Sequence, residues 1–290
     1  MQPYQFKLAA YLDELSGDTT EACQLAAAAG FKSVCLKKAW NVGIGTATGT
    51  GATDAQCQRL KEQLSKNGLN AQMVHTDIGD VPAEQLLDHL ETAKRAIDIA
   101  NFFGAKHIRF GTGNKPLVKE QAAARQQLWF SEIEKLLVGR NITPLLEVTP
   151  QGFSQEPAEI AALLNENKKW QLLYDPALLL INRRIDPFVK FWSLLKGRTG
   201  AIDLRDLKIG VGPRPVGHGD CRCLETLQDA ANSHFDGFLY IEPGLGRRYS
   251  NAGTLAKTFA IAMETINQAL AAIIPPPTGP VQQHRMSRIR

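Results

Sequence analysis

Short apolar runs alternate with longer amphipathic stretches along most of the chain. The apolar runs begin near Lys7, Ser33, Asn70, Lys106, Ile142, Gln171, Gly200 and Gly237, with cores such as V-C-L, M-V-H and L-L-E-V. Their length and β-branched content predict buried strands. Between them, residues 19–30, 53–68, 82–104, 120–138, 156–168, 186–196, 224–234 and 252–270 predict helices. In the third, Glu84, Leu87, Leu90, Ala93 and Ile97 recur at helical spacing. Thr53 followed by Gln56 forms a capping-box pattern. Gly30, Gly68 and Gly104 each fall between a helical stretch and a strand, where a helix ends in a positive-φ residue.

Eight strand–helix units, with starts 26 to 37 residues apart, predict a parallel sheet closed into a (β/α)8 barrel. Helical solenoids can share the period but have no strand in each repeat. An open doubly wound sheet calls for G-x-G-x-x-G after the first strand, and none is found there. One barrel domain is expected over 1–274. Residues 275–290, rich in proline and carrying Arg285, Arg288 and Arg290 without an acid, read as a flexible extension.

That extension holds most of the charge imbalance. The net charge is +4, but removing 275–290 leaves 30 basic and 29 acidic residues. A nearly neutral body argues against nucleic acid as a partner. No apolar run is long enough to predict a membrane span. The first residues, MQPYQFKLAA, lack a basic stretch leading into an apolar one. Five cysteines without framework spacing fit a reducing compartment, so the expected location is the cytoplasm.

In such barrels the chemistry sits at the C-terminal ends of the strands. The third run ends in His75, the fourth carries Arg109, and the fifth and sixth deliver Glu147 and Asp175. The seventh delivers Asp203, Arg205 and Asp206, and the eighth delivers Glu242. Glu147, Asp175, Asp203 and Glu242 thus end four consecutive strands about 5 Å apart. Four carboxylates converging there repel one another unless a cation or protons intervene. All-oxygen ligation suits Mn²⁺ or Mg²⁺. Taken singly, each carboxylate reads more readily as a cap or a salt-bridge partner than as a ligand, and it is the set of four in register that points to a metal.

The motifs G-F-K-S-V (30–34), L-L-E-V (145–148), L-L-Y-D (172–175), I-D-L-R-D (202–206), G-H-G-D (217–220) and L-Y-I-E (239–242) carry a resemblance. Over about residues 5–270 the chain resembles the xylose-isomerase-like sugar and sugar-phosphate isomerases and epimerases, a family that includes endonuclease IV. That family shows Glu, Asp, His and Glu at the four strand ends, and H-x-K-D on the seventh strand. Here its histidine is Asp203 and its lysine Arg205. A frequent second-strand Glu falls at Cys35. The Asn-His after the fifth-strand Glu is Val148-Thr149, and a His beyond the sixth-strand Asp is Leu178.

The resemblance implies a metal-dependent isomerase or epimerase of a small carbohydrate, moving a proton next to a carbonyl through an enediolate. It implies Glu147 and Glu242 as the proton-exchanging pair, with Asp175 and Asp203 completing the metal shell. His75, Arg109, Arg205, His218 and Trp40 are the candidates for substrate contacts. Each also has a plainer reading: Trp40 packing under residues 41–52, His218 capping a turn, Arg109 pairing with a carboxylate. A rival reading is a ligand-binding barrel without metal, in which Arg205 neutralises Asp203 and its neighbours. An abasic-site nuclease fits poorly, because its zinc sites need several histidines. The sequence leaves self-association open.

Overall fold

The structure, a computed structural model, describes residues 4–46, 51–114, 119–152, 156–183, 186–245 and 252–273. The expected extension, 275–290, lies outside the described residues. Eight strands close into a parallel barrel: β1 (Lys7–Tyr11), β2 (Ser33–Leu36), β3 (Asn70–His75), β4 (His107–Phe110), β5 (Thr143–Glu147), β6 (Gln171–Tyr174), β7 (Thr199–Leu204) and β8 (Phe238–Ile241). Each strand pairs with its sequence neighbours, and β1 closes on β8 with Ala9 opposite Tyr240. No helix among the described residues is long and apolar enough to cross a membrane.

The helices surround the barrel. They are α1 (Thr19–Ala28), α2 (Asp54–Lys66), α3 (Leu90–Phe103), α4 (Lys119–Leu136), α5 (Pro157–Glu166), α6 (Pro176–Arg183), α7 (Ser193–Leu195), α8 (Cys223–Asn232) and α9 (Ala252–Ala272). Helix α2 starts with the expected box: the Gln56 N–H donates to Thr53 Oγ1, and the Thr53 N–H to Gln56 Oε1. Gly104 ends α3 at φ 71°.

Three local readings change. The single helix expected over 82–104 opens with 3-10 turns over Ala83–His89. That expected over 186–196 is a π turn, Phe188–Trp192, running into α7. Helix α6 was not expected at all. Its sequence, P-A-L-L-L-I, is too uniformly apolar to show a period, and the helix follows β6 directly. A short antiparallel hairpin, Asp206–Lys208 with Gly212–Arg214, also follows β7.

Two buried layers result. The larger lies between the strands and the helices. The second contains Ala9, Tyr11, Cys35, Met73, Leu145, Leu173, Ala201 and Tyr240, and it fills the barrel itself. Side chains alternate along a strand, so the next inward position lies two residues on. Those positions are Lys37, His75, Glu147, Asp175, Asp203 and Glu242, with Arg109 on β4. The strand period thus places an ionisable layer on the apolar plug.

Candidate functional site

Most of this layer is buried. His75, Arg109, Glu147, Asp175, Asp203 and Glu242 are all shielded from solvent, while Lys37 keeps 24% of its side chain exposed. Arg109 donates from Nε (2.9 Å) and NH2 (2.6 Å) to Glu147 Oε2. Its NH1 donates to Asp80 Oδ2 at 2.7 Å and to the Thr76 carbonyl at 2.9 Å. Arg205 donates from Nε to Asp175 Oδ2 at 2.7 Å, and its NH1 lies 3.1 Å from Glu242 Oε2. Lys37 Nζ donates to Glu242 Oε1 at 2.7 Å. The second Asp175 oxygen accepts the Leu178 N–H at 2.9 Å, in the first turn of α6.

The metal-free reading from sequence had Arg205 neutralising Asp203 and its neighbours; the ion pairs of Arg205 among the described residues go to the neighbours Asp175 and Glu242 and not to Asp203. Asp203 accepts from the Tyr11 hydroxyl at 2.9 Å through Oδ2, and its buried Oδ1 has no hydrogen-bond partner among the described residues. The same holds for Glu147 Oε1, which lies 3.7 Å from His75 Nε2. His75, Glu147 and Asp203 each offer one ligand atom, and these atoms lie within 4.8 Å of one another. The four strand-end carboxylates thus divide. Glu147, whose other oxygen Arg109 holds, and Asp203 join His75, while Asp175 and Glu242 are held by Arg205 and Lys37.

Electrostatics follow from these partners. Burial would raise Glu147, but the Arg109 guanidinium outweighs it and holds the carboxyl well below its usual range. Burial would likewise raise Glu242, but Arg205 and Lys37 bring it down to about 2. Burial and the Lys37 charge lower His75 to about 4, so its imidazole is neutral at ordinary pH. Burial, with the Glu242 charge beside it, pushes Asp203 well above its usual range.

A divalent cation fits this arrangement. Two buried carboxylate oxygens without partners and a neutral imidazole nitrogen form a mixed nitrogen and oxygen donor set. Four carboxylates (Asp80, Glu147, Asp175 and Glu242) face three cations (Lys37, Arg109 and Arg205) across these contacts, and a fifth, Asp203, faces the Tyr11 hydroxyl. Full ionisation leaves two negative charges, the complement of one divalent ion.

Two residues expected here lie elsewhere. His218 is exposed on the loop after the hairpin, and its backbone N–H donates to the Pro215 carbonyl. The G-H-G-D segment serves Asp206 instead, whose carboxylate accepts the N–H groups of Gly217 (2.9 Å), Gly219 (3.0 Å) and Cys221 (3.1 Å). Trp40 is half-buried with the Arg59 guanidinium 4.4 Å over its ring, and it lines a different cavity from the one holding His75 and Glu147. Tyr11, Lys37 and Asp80 were missed. Lys37 directly follows V-C-L, so the rule that found the other strand-end residues would have found it. Tyr11 reads as one more apolar residue of K-L-A-A-Y, and Asp80 lies in a loop.

The open part of the mouth is a cavity of about 430 Å³ lined by Lys37, His75, Asp80, Arg109, Glu147 and Arg205 among others. Among solved structures, a xylose isomerase domain protein from Planctomyces limnophilus superposes with a TM-score of 0.69 at 14% identity, over 94% of this chain and 99% of that one. A xylose isomerase-like TIM barrel protein from Mycobacterium smegmatis, in complex with magnesium, gives 0.65 at 15% identity over 92% and 98%. A D-allulose 3-epimerase from Methylomonas sp., in complex with D-allulose, gives 0.65 at 16% over 92% and 99%. At these identities the likeness is one of fold. No curated protein sequence matches the chain. The pattern shared by xylose isomerase-like TIM barrels does match it, across residues 23–260, and the chain belongs to that family.

Proposed function

We propose that this barrel is a metal-dependent isomerase or epimerase of a small carbohydrate or sugar phosphate. One observation carries the reading: partnerless oxygens of Glu147 and Asp203 meet the neutral His75 nitrogen at the C-terminal mouth. His75, Glu147 and Asp203 would hold a divalent ion, and Mn²⁺ suits the mixed donor set better than Mg²⁺. When bound, such an ion polarises a carbonyl oxygen as a Lewis acid. Family membership and the sugar-bound epimerase of the same fold support the substrate class.

Glu147 and Glu242 are the candidates for moving the proton. Their cationic neighbours keep both ionised at neutral pH, so either can accept a proton from the carbon next to the carbonyl. The C–H electron pair then forms the enediolate, whose oxygen gains charge. Isomerisation needs one carboxylate, which returns the proton to the former carbonyl carbon, while the hydroxyl proton of the neighbouring carbon passes to the former carbonyl oxygen. Epimerisation needs both: one accepts, and the other, ionised in the free protein, must first take up a proton from a substrate hydroxyl or water before it donates to the opposite face. Lys37 and Arg205 border the cavity and supply positive charge to the developing oxyanion.

Two measurements on purified protein test this. After dialysis with Mn²⁺, elemental analysis should find about one ion per chain, and Glu147→Gln should lose it. D-Allulose incubated with the Mn²⁺-loaded protein in D₂O should take up deuterium next to its carbonyl. Absence of bound ion, together with no thermal shift on adding Mn²⁺ or Mg²⁺, rejects the metal assignment. One contact favours the rival, a ligand-binding barrel without metal: Arg205 already spans Asp175 and Glu242. That reading requires D-allulose binding that is indifferent to chelator.

A further inference from the structure

A second cavity, of about 550 Å³, opens on the same face of the barrel. Its walls come from α6 (Leu180, Ile181), from the hairpin after β7 (Leu207, Ile209, Val211, Pro213) and from the turn after β8. Arg205 lines this cavity and also the mouth that holds His75 and Glu147. Leu178 faces the mouth and Ala177 faces the second cavity, so the start of α6 forms the rest of the partition. The two spaces are adjoining chambers separated by one guanidinium and one helical turn.

Their chemistry differs. The mouth is lined largely by ionisable groups, whereas aliphatic side chains and proline make up most of the second chamber, with Arg205, Asp206 and Lys208 also on its wall. Ile181, Ile209 and Val211 are exposed by 57%, 42% and 38%, and all three face the second chamber. Exposed aliphatic side chains gathered in one concavity beside a polar site mark a ligand groove more than random surface. The hairpin that carries two of them is anchored: Asp206 holds the loop at Gly217, Gly219 and Cys221, and the Ile209 N–H donates to Asp220. The chamber is therefore built before any ligand arrives.

We propose that the substrate is a carbohydrate bearing an apolar substituent, such as an aryl, alkyl or acyl group. Its carbonyl-bearing part lies in the mouth, and the substituent crosses Arg205 into the aliphatic chamber. This rests on the carbohydrate reading above and extends it. An unsubstituted sugar leaves the chamber empty, and its dense hydroxyls would find few partners there. A substituent covering roughly 100 Å² of apolar surface corresponds to an affinity gain of about 50-fold, reduced by the ordering of the ligand.

Calorimetry with the Mn²⁺-loaded full chain and three probes tests the proposal: D-allulose, 1-O-benzyl-D-allulose and 6-O-benzyl-D-allulose, which present the substituent from either end. At least one benzyl ether should bind tenfold or more tighter than D-allulose. Val211→Asp and, independently, Ile209→Asp, at the exposed end of the hairpin, should bring that ratio to near one. Circular dichroism and melting of each variant confirm that it folds. If D-allulose binds and neither ether gains more than twofold, the substituent is wrong and the carbohydrate reading stands. If none of the three binds, both fall. If the ratio persists in both variants, the substituent lies elsewhere and the proposal is rejected. If sedimentation shows a dimer that Val211→Asp dissociates, the chamber is a subunit contact and the proposal is likewise rejected.

Discussion

The Tyr11 hydroxyl on β1 donates a 2.9 Å hydrogen bond to Asp203 on β7, although β8 lies between those strands. The ring reaches across the closed end of the apolar plug, edge-on to His75 at 5.6 Å and to Tyr240 at 6.3 Å between centroids. It is the bond that orients the most deeply buried carboxylate of the mouth. Tyr11→Phe keeps the ring and removes the donor, leaving Asp203 Oδ2 without its hydroxyl partner. The expected loss is about 1–3 kcal/mol in urea unfolding of the metal-free protein. An unchanged midpoint would mean that another group takes over the bond.

The barrel was legible because two periods are written plainly in the sequence. Apolar runs such as Leu145–Leu146 and Leu172–Leu173 stop at a carboxylate, and glycines such as Gly104 close the helices between them. The convergence of Glu147, Asp203 and Glu242 followed from that register alone. Which carboxylate meets which cation did not follow, because Arg205 can reach a neighbouring strand end on either side. Only the folded geometry turns it to Asp175 and Glu242. His218 misled for a related reason: G-H-G-D has the look of a site loop, yet its work is to present backbone N–H groups to Asp206.

The Arg109 clamp depends on a close approach of two loops. Gly79 has φ 90°, and a Cβ built there would lie 2.5 Å from the Gly111 carbonyl oxygen. The Gly113 N–H donates to the Gly79 carbonyl at 2.8 Å, which draws the loops together and places Asp80 on Arg109. Gly79→Ala must adopt an unfavourable φ and also push the loops apart. We expect a loss of about 2 kcal/mol or more, against well under 1 kcal/mol for Gly197→Ala, whose site is open. Equal losses for the two substitutions would contradict the close-approach argument.

Acid sensitivity should have a histidine component from the barrel interior. His107 Nδ1 is 2.7 Å from the Tyr240 hydroxyl, and burial lowers its pKa from 6.5 to about 4. The neutral ring is thus favoured by folding. Its contribution is fully present above about pH 6.5, and it is lost as pH falls from there through about 4. The shift corresponds to on the order of 3 kcal/mol across that window. His107→Gln keeps a polar group near Tyr240 and does not titrate, so its stability should fall less steeply between pH 6.5 and 4. Parallel urea-midpoint curves for the two proteins would show that His107 does not carry this dependence.

Arg205 holds two buried acids at once, so its removal should be worse than removal of the whole pair. Arg205→Met leaves Glu242 with Lys37 but strips Asp175 of its guanidinium, with one remaining contact at the Leu178 N–H. A buried carboxylate in that position costs about 3–5 kcal/mol. Asp175→Asn added to it removes the charge and keeps an oxygen to cap the first turn of α6. The double variant should therefore recover roughly 2 kcal/mol relative to Arg205→Met alone, a sign opposite to simple addition of two damaging substitutions. Urea unfolding of the wild type, both single variants and the double variant gives the coupling directly. A double variant less stable than Arg205→Met would mean that the Asp175 charge is satisfied by something other than Arg205.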